Sequence, residues 1–425
     1  MPEKKEDEFA FIKEKIKDKP VSKRRLLQYS CFTVVLAVVF GLVACFVITF
    51  MQPYMKEWLY PKEDPKVTIP KDEIEPETEK ETEQEPETES QAPVYITETQ
   101  ELETTDYQKL QNKIYAIGAE ANKSIVTVTG VKSDMDWFNT PYESAGQASG
   151  VIIANNGQEL LILTERKVIT DVQAIRVTFV DGSIVEAALK QYDGNTGVAI
   201  LSVSLSGVPE STLNAIKPAV LGNSYAVQTG TVVIALGSPL GSNFSILTGD
   251  ITATGNSVST LDATYHVLNT DIVGSSSGSG VLINLSGEVV GLVMQGYSSD
   301  GDQNTLTAVA ISELKEVIEK LSNNQSIPYL GAKLSTVTEE ISAAYDLPKG
   351  VYVKSVEMDS PAMNAGLQSG DVIVELNGTA TLDVSDYTEK LLSLSPNESV
   401  SITVKRQGTD GYTKITCTAV VGVLE

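Results

Sequence analysis

From Ser30 to Met51 the chain is almost wholly apolar, and no charged residue falls between Leu26 and Met55. As a helix those 22 residues would reach about 33 Å, against about 30 Å for the hydrocarbon core of a bilayer. Beyond Trp58 the pattern breaks. Residues 61–105 are built of Glu, Thr, Pro and Lys, with Glu75–Glu79 and Glu85–Glu89 as near repeats. Such a stretch buries too little apolar surface to offset its ordering entropy, so a disordered, extended tether is expected. From Ser124 to Met294 short β-rich runs dominate. Eleven of them can be marked, from Ser124–Thr129 through Leu160–Thr164, Gly197–Val203 and Ile246–Thr254 to Val289–Met294. Turn residues such as Asn155-Asn156-Gly157 and Asp181-Gly182 separate them. Closely spaced strands without long helices predict antiparallel barrels or a sandwich. Helices are expected at Asp106–Asn122, before the first strand, and at Ile311–Leu321, after the last. A further β-rich lobe, Ile327–Glu425, contains a helical stretch at Asp383–Leu394 and a strand at Ser399–Arg406.

The apolar run is flanked unequally. Lys23-Arg24-Arg25 precede it, whereas only Lys56, balanced by Glu57, follows. The basic side stays in the cytoplasm, which predicts a single-pass cell-membrane protein whose main domains are extracytoplasmic. Tyr54, Trp58 and Tyr60 suit an outer interfacial belt. A cleaved signal peptide would need a shorter apolar core and a small-residue cleavage site, and none follows. Leu42-Val43-Ala44-Cys45 resembles a lipoprotein box, but Phe46–Met51 stays apolar beyond that cysteine. The expected organisation is a cytoplasmic segment (1–25), a transmembrane helix region (26–55), a disordered acidic linker (56–106) and two globular parts (107–325 and 326–425).

Charge and cysteine content sharpen this picture. With 56 acidic and 32 basic residues the net charge is −24. Residues 61–106 alone carry sixteen acids and four lysines, a net −12. No long basic stretch survives outside the N-terminus, so nucleic acid is excluded as a partner. Cys31 and Cys45 lie in the apolar run and Cys417 stands alone, leaving no pair to staple the outer domains. No cofactor and no metal is expected.

Particular runs carry a resemblance. Leu221–Ser224, Thr229–Gly241 and Leu247–Gly255 resemble the second barrel of the HtrA/Deg serine proteases. Ser149–Ile153 through Leu163-Thr164 resembles that family's entry into the first barrel. Asn269-Thr270-Asp271, Ser279-Gly280 and Leu285–Leu292 resemble the stretch around its nucleophile. The resemblance implies a mainly β protein with two antiparallel barrels of trypsin type and a cleft between them. It also implies a trimer, for which Tyr107 and Tyr115 are candidate contacts.

That fold hydrolyses peptides with a serine whose proton passes to a histidine oriented by an aspartate. On the family's pattern Lys167 stands where the histidine belongs and Gly197 where the aspartate belongs. The nucleophile position falls on Ser279 or, alternatively, Ser277, in a loop one residue short. The shortening bears on the oxyanion hole, whose backbone N–H groups belong to that loop. The only histidine, His266, lies on a second-barrel strand, whereas the base must come from the opposite barrel. A serine–lysine dyad through Lys167 would need a buried, neutral amine, and Glu165 beside it argues against one. The expectation is therefore a protease homologue without peptidase activity, with an active endopeptidase using an unconventional base as the alternative.

Tyr329-Leu330-Gly331-Ala332, Lys349–Val353, Asp359–Ala362 and Ala365–Ile373 resemble the PDZ domain that ends HtrA proteins. Such domains add a partner's C-terminal tail as an extra strand and hold its carboxylate in backbone N–H groups. The resemblance makes residues 329–332 the peptide-binding loop and unfolded polypeptides or protein C-termini the partners. A role in quality control or regulation of envelope proteins would follow.

Overall fold

The computed structural model describes residues 24, 27–28, 31–43, 46, 65–73, 103–135, 141–298 and 304–424. Residues 1–64 and 65–425 form separate units. In the first, residues 31–43 are helical, with apolar side chains exposed all round, Phe32, Val35, Val39 and Phe40 among them. No helix among the described residues is long and apolar enough to cross a membrane. Much of the predicted span, including Cys45 and the Tyr54–Tyr60 belt, lies outside them, as does the acidic stretch 74–102.

Two closed six-stranded barrels make up the middle of the second unit. The first contains β1 (Ile125–Met135), β2 (Pro141–Asn155), β3 (Glu159–Glu165), β4 (Ala174–Thr178), β5 (Ile184–Tyr192) and β6 (Val198–Ser204), in the order 1-2-3-6-5-4. The second contains β7 (Val232–Ser238), β8 (Ser245–Ser259), β9 (Thr264–Val273), β10 (Ser279–Ile283), β11 (Val289–Met294) and β12 (Thr305–Ala310), in the order 10-11-12-9-8-7. Alternation along β4, where Ile175 and Val177 are buried and Arg176 is exposed, is the period-two signature of a strand with one wet face. By contrast β11 is buried at all six positions, which its run Val-Val-Gly-Leu-Val-Met permits. Strand β12 had no place among the eleven expected runs.

Helix α1 (Thr104–Ala121) precedes the first barrel, and Tyr107 and Tyr115 lie exposed on it. Short α2 (Glu210–Ala215) links the barrels. Helix α3 (Ile311–Ser322) begins and ends within a residue of expectation and lays Leu314, Val317, Ile318 and Leu321 into the core.

One stretch departs from the predicted linker. Residues 65–73 run extended along α3 and belong to its packing. Val67 and Asn323 exchange two hydrogen bonds, of 2.8 and 2.7 Å, and Ile69 N–H donates to Glu319 at 2.7 Å. The Asp72 carboxylate lies 2.7 Å from the Lys315 ammonium, which is only 3% exposed. The physical reason is local. Pro65-Lys66-Val67-Thr68-Ile69 alternates inward and outward, and its two aliphatic residues find an apolar surface.

The C-terminal lobe has an edge-first sheet, β14 (Ala332–Val337), β15 (Gly350–Val356), β16 (Val372–Leu376), β18 (Ser399–Gly408) and β19 (Gly411–Val420). Short β17 (Thr379–Ala380) pairs with β16, and β13 (Pro328–Tyr329) pairs with β20 (Gly422–Val423). Helices α4 (Glu339–Tyr345), α5 (Pro361–Asn364) and α6 (Val384–Leu392) complete it. Caps are placed where the sequence supplies them: Asp383 accepts from Asp386 N–H, and Ser360 accepts from Met363 N–H with Pro361 following.

Candidate functional site

The cleft positions come from both barrels. Strand β3 ends at Glu165, and the turn Arg166–Val168 carries Lys167. Gly197 lies in the tight turn 193–197, where the Asp193 carboxylate takes N–H groups from Asn195 and Thr196, both at 3.1 Å, and the Thr196 hydroxyl at 2.6 Å. Its φ of 76° is left-handed, a conformation that glycine adopts freely. Arg166 N–H donates to the Gly197 carbonyl at 2.8 Å, so the fold brings the Lys167 and Gly197 turns side by side.

Lys167 is already engaged. The Lys167 ammonium pairs with Glu165 at 2.8 Å and its side chain is 49% exposed. That is a wet, paired setting. Glu165 is itself buried. Burial pushes its carboxyl up, the bond from Lys167 pulls the other way, and Oε1 has no hydrogen-bond partner.

The serines are equally committed. Ser279 opens β10, is 2% exposed, and its Oγ accepts the Ser149 N–H at 2.9 Å. Ser277 is exposed, and its Oγ lies 3.2 Å from that of Ser275. Two amides of the loop point at carbonyls: Ser275 N–H at Pro239 O (2.9 Å) and Gly278 N–H at Ser275 O (2.8 Å). The bonds of Lys167, Ser277 and Ser279 are thus with Glu165, Ser275 and Ser149, and none joins a serine to Lys167. His266, on β9, pairs its Nδ1 with Glu313 on the outer side. Glu313 holds the imidazole above its usual range.

In the C-terminal lobe the chain from Tyr329 to Ala332 forms an amide nest beside edge strand β14. Leu330, Gly331 and Ala332 aim their N–H groups at one carboxylate, at distances of 2.8, 2.6 and 3.2 Å. Gly331 has φ 93°, and a Cβ there would meet the Ser360 Cβ at 2.4 Å and the Tyr329 hydroxyl at 2.6 Å. Only glycine fits. The carboxylate belongs to Asp262, which no sequence motif had singled out. Burial pushes its carboxyl up, against the pull of its hydrogen bonds.

Comparison with known proteins agrees with this architecture. A model of the trypsin-like peptidase domain matches residues 148–292, and a PDZ-domain model matches 328–416. A probable periplasmic serine endoprotease, DegP-like, of Halomonas elongata is 31% identical over 63% of this chain and 55% of its own length. The serine protease Do-like HtrA of Lactobacillus helveticus is 29% identical over 65% of this chain and 70% of its own. The chain thus spans little more than half the length of some of the relatives it matches. The solved structure of the HtrA-type protease AlgW with a decapeptide superposes with a TM-score of 0.55, at 23% identity, over 73% of this chain and 99% of that one. At that identity it speaks for the fold. Paired trypsin-type barrels followed by a PDZ domain define the class, a serine-protease homologue of HtrA type. In sequence and in fold the chain is similar to the HtrA-type serine proteases.

Proposed function

We propose that this chain is a membrane-tethered HtrA homologue without peptidase activity, which captures polypeptide C-termini through its PDZ domain outside the cytoplasm. The observation that carries this reading is the nest at residues 330–332, where three successive amides converge on one carboxylate beside an edge strand. Carboxylate capture combined with strand addition is how such a domain reads a free C-terminus. Inactivity is supported by the cleft, where Lys167 is paired with Glu165, Gly197 offers no acid, and the Ser279 hydroxyl is buried against Ser149 N–H. Tethering is supported by the uncharged run Leu26–Met55 and the all-round apolar exposure of the helix at 31–43. The relatives named as periplasmic proteases support an extracytoplasmic location. Exposed Tyr107 and Tyr115 on α1 are the candidate contacts of a trimer.

The binding test compares a labelled decapeptide ending in a free valine carboxylate with its C-terminal amide, using the full chain in detergent. The acid should bind about tenfold or more tightly, the scale set by a charge-assisted hydrogen-bond set. Equal affinities would remove carboxylate capture. The activity test is fluorophosphonate labelling alongside casein hydrolysis, with neither expected above background. Cleavage that vanishes in Ser279→Ala or Ser277→Ala would establish the active endopeptidase instead.

A further inference from the structure

The carboxylate in the nest comes from the second barrel. Between β8 and β9 the chain turns at residues 260–263, where Thr260 N–H donates to Ala263 O at 3.0 Å. Asp262 adopts a left-handed φ of 60°, which aspartate tolerates better than most residues. The turn drives Asp262 into the C-terminal lobe. Beyond the three amides of the nest, its Oδ1 accepts the Tyr387 hydroxyl at 3.0 Å. Its residue is 5% exposed, so solvent takes almost no part.

The main chain follows the side chain into the groove. Asp262 N–H donates to Ala332 O at 2.7 Å, and Leu261 bridges Lys333 in the antiparallel sense. The Thr388 hydroxyl of α6 donates to the Asp262 carbonyl at 2.8 Å. A bound tail would place its carboxylate in the amide nest, with the preceding residue antiparallel on the edge strand β14. Residues 261–262 do both, in that direction. The seat is also clasped from the first barrel. The Asn195 side-chain amide donates to Leu261 O at 2.7 Å and accepts Leu261 N–H at 3.1 Å. Asn195 belongs to the same turn as Gly197, so the groove's occupant is held by the turn at the cleft.

We infer that Leu261-Asp262 is an internal ligand of the PDZ nest, which closes the groove so that a polypeptide C-terminus binds only by displacing it. The inference rests on the reading of the nest as a carboxylate site. A competitor that is covalently attached and already positioned acts at high effective concentration, so weakening it raises the affinity for every free tail alike.

Asp262→Asn tests this in the full chain in detergent. Asparagine keeps the left-handed turn but puts an NH2 among donors, removing the charge. Anisotropy of the labelled free-acid decapeptide should show about tenfold or more tighter binding by the variant than by the parent, the scale of lost charge-assisted bonds. Hydrogen exchange at the amides of 330–332 should be faster in the unliganded variant. Equal affinity for the peptide in both forms overturns the internal ligand and leaves peptide capture standing. If neither form binds the peptide, exchange decides. Faster exchange in the variant keeps the internal ligand while peptide capture falls, and unchanged exchange overturns both. Asp262→Gly, which also accepts a positive φ, serves if the asparagine form does not fold.

Discussion

At the scale of the residue, Ser279 makes the sharpest prediction because its hydroxyl has a structural job. In Ser279→Ala the buried N–H of Ser149 loses its acceptor. That should lower stability by about 1–3 kcal/mol, read as a drop in denaturant midpoint. An unchanged midpoint would mean that the hydroxyl faces the cleft. Lys167→His should gain no fluorophosphonate labelling, since Gly197 supplies no acid to set the imidazole tautomer and Ser279 is turned inward. Appearance of labelling would show that the inward orientation of the serine does not keep the probe from it. His266, the sole histidine, offers a clean titration by NMR. Its hydrogen bond to Glu313 should place the midpoint above 6.5, and Glu313→Gln should lower it. Because the folded-state value is the raised one, the pair stabilises the fold fully below pH 6.5 and fades as pH rises through that midpoint. With the imidazole more than half exposed, the effect on stability is small and the shift itself is the readout.

At the scale of the element, the strip 65–73 and helix α3 act as one packed pair. Asp72→Ala would strand the buried Lys315 ammonium without its carboxylate. Breaking such a pair from one side should cost on the order of 3 kcal/mol, visible as a lower melting temperature. A variant that melts with the parent would return the strip to the linker. In the PDZ domain Gly331→Ala is expected to damage the nest more than any loss of contact would, because the new methyl collides with Ser360 and Tyr329. Loss of binding to the free-acid peptide with the fold retained, seen by circular dichroism, is the expected outcome. Retained binding would place the carboxylate site elsewhere.

At the scale of the whole molecule, the inference of a tethered, outward-facing pair of domains can be tested in intact cells. If Lys23–Arg25 set the orientation, added protease should trim the chain to a small membrane-bound stub. Protection of the PDZ domain would put it on the cytoplasmic side and end the extracytoplasmic reading. The same experiment bears on the groove, since a domain facing the outside meets free C-termini only where Asp262 yields.

The barrels were legible along the chain because most of their strands carry their own record, alternating or continuous apolar residues, several closed off by Asn-Gly, Asp-Gly or Ser-Gly turns. Helix α3 was legible because its apolar face repeats every third or fourth residue. So was the nest, whose glycine at 331 is demanded by a local close approach. Strand β12 was missed although Asp300-Gly301 precedes it and Thr305-Leu306-Thr307-Ala308 alternates, because the run is short and poor in large apolar side chains; its place is set by pairing with β9 and β11. The strip 65–73 was absorbed into the surrounding acidic sequence, and only α3 gives its two aliphatic residues somewhere to go. The orientation of Ser279 depends on an N–H 130 residues away in sequence. Asp262 reads in isolation as an ordinary turn residue. Its role arises because tertiary packing brings a hairpin of the second barrel to amides 68 to 70 residues further on, and separations of that kind leave no periodicity in a sequence.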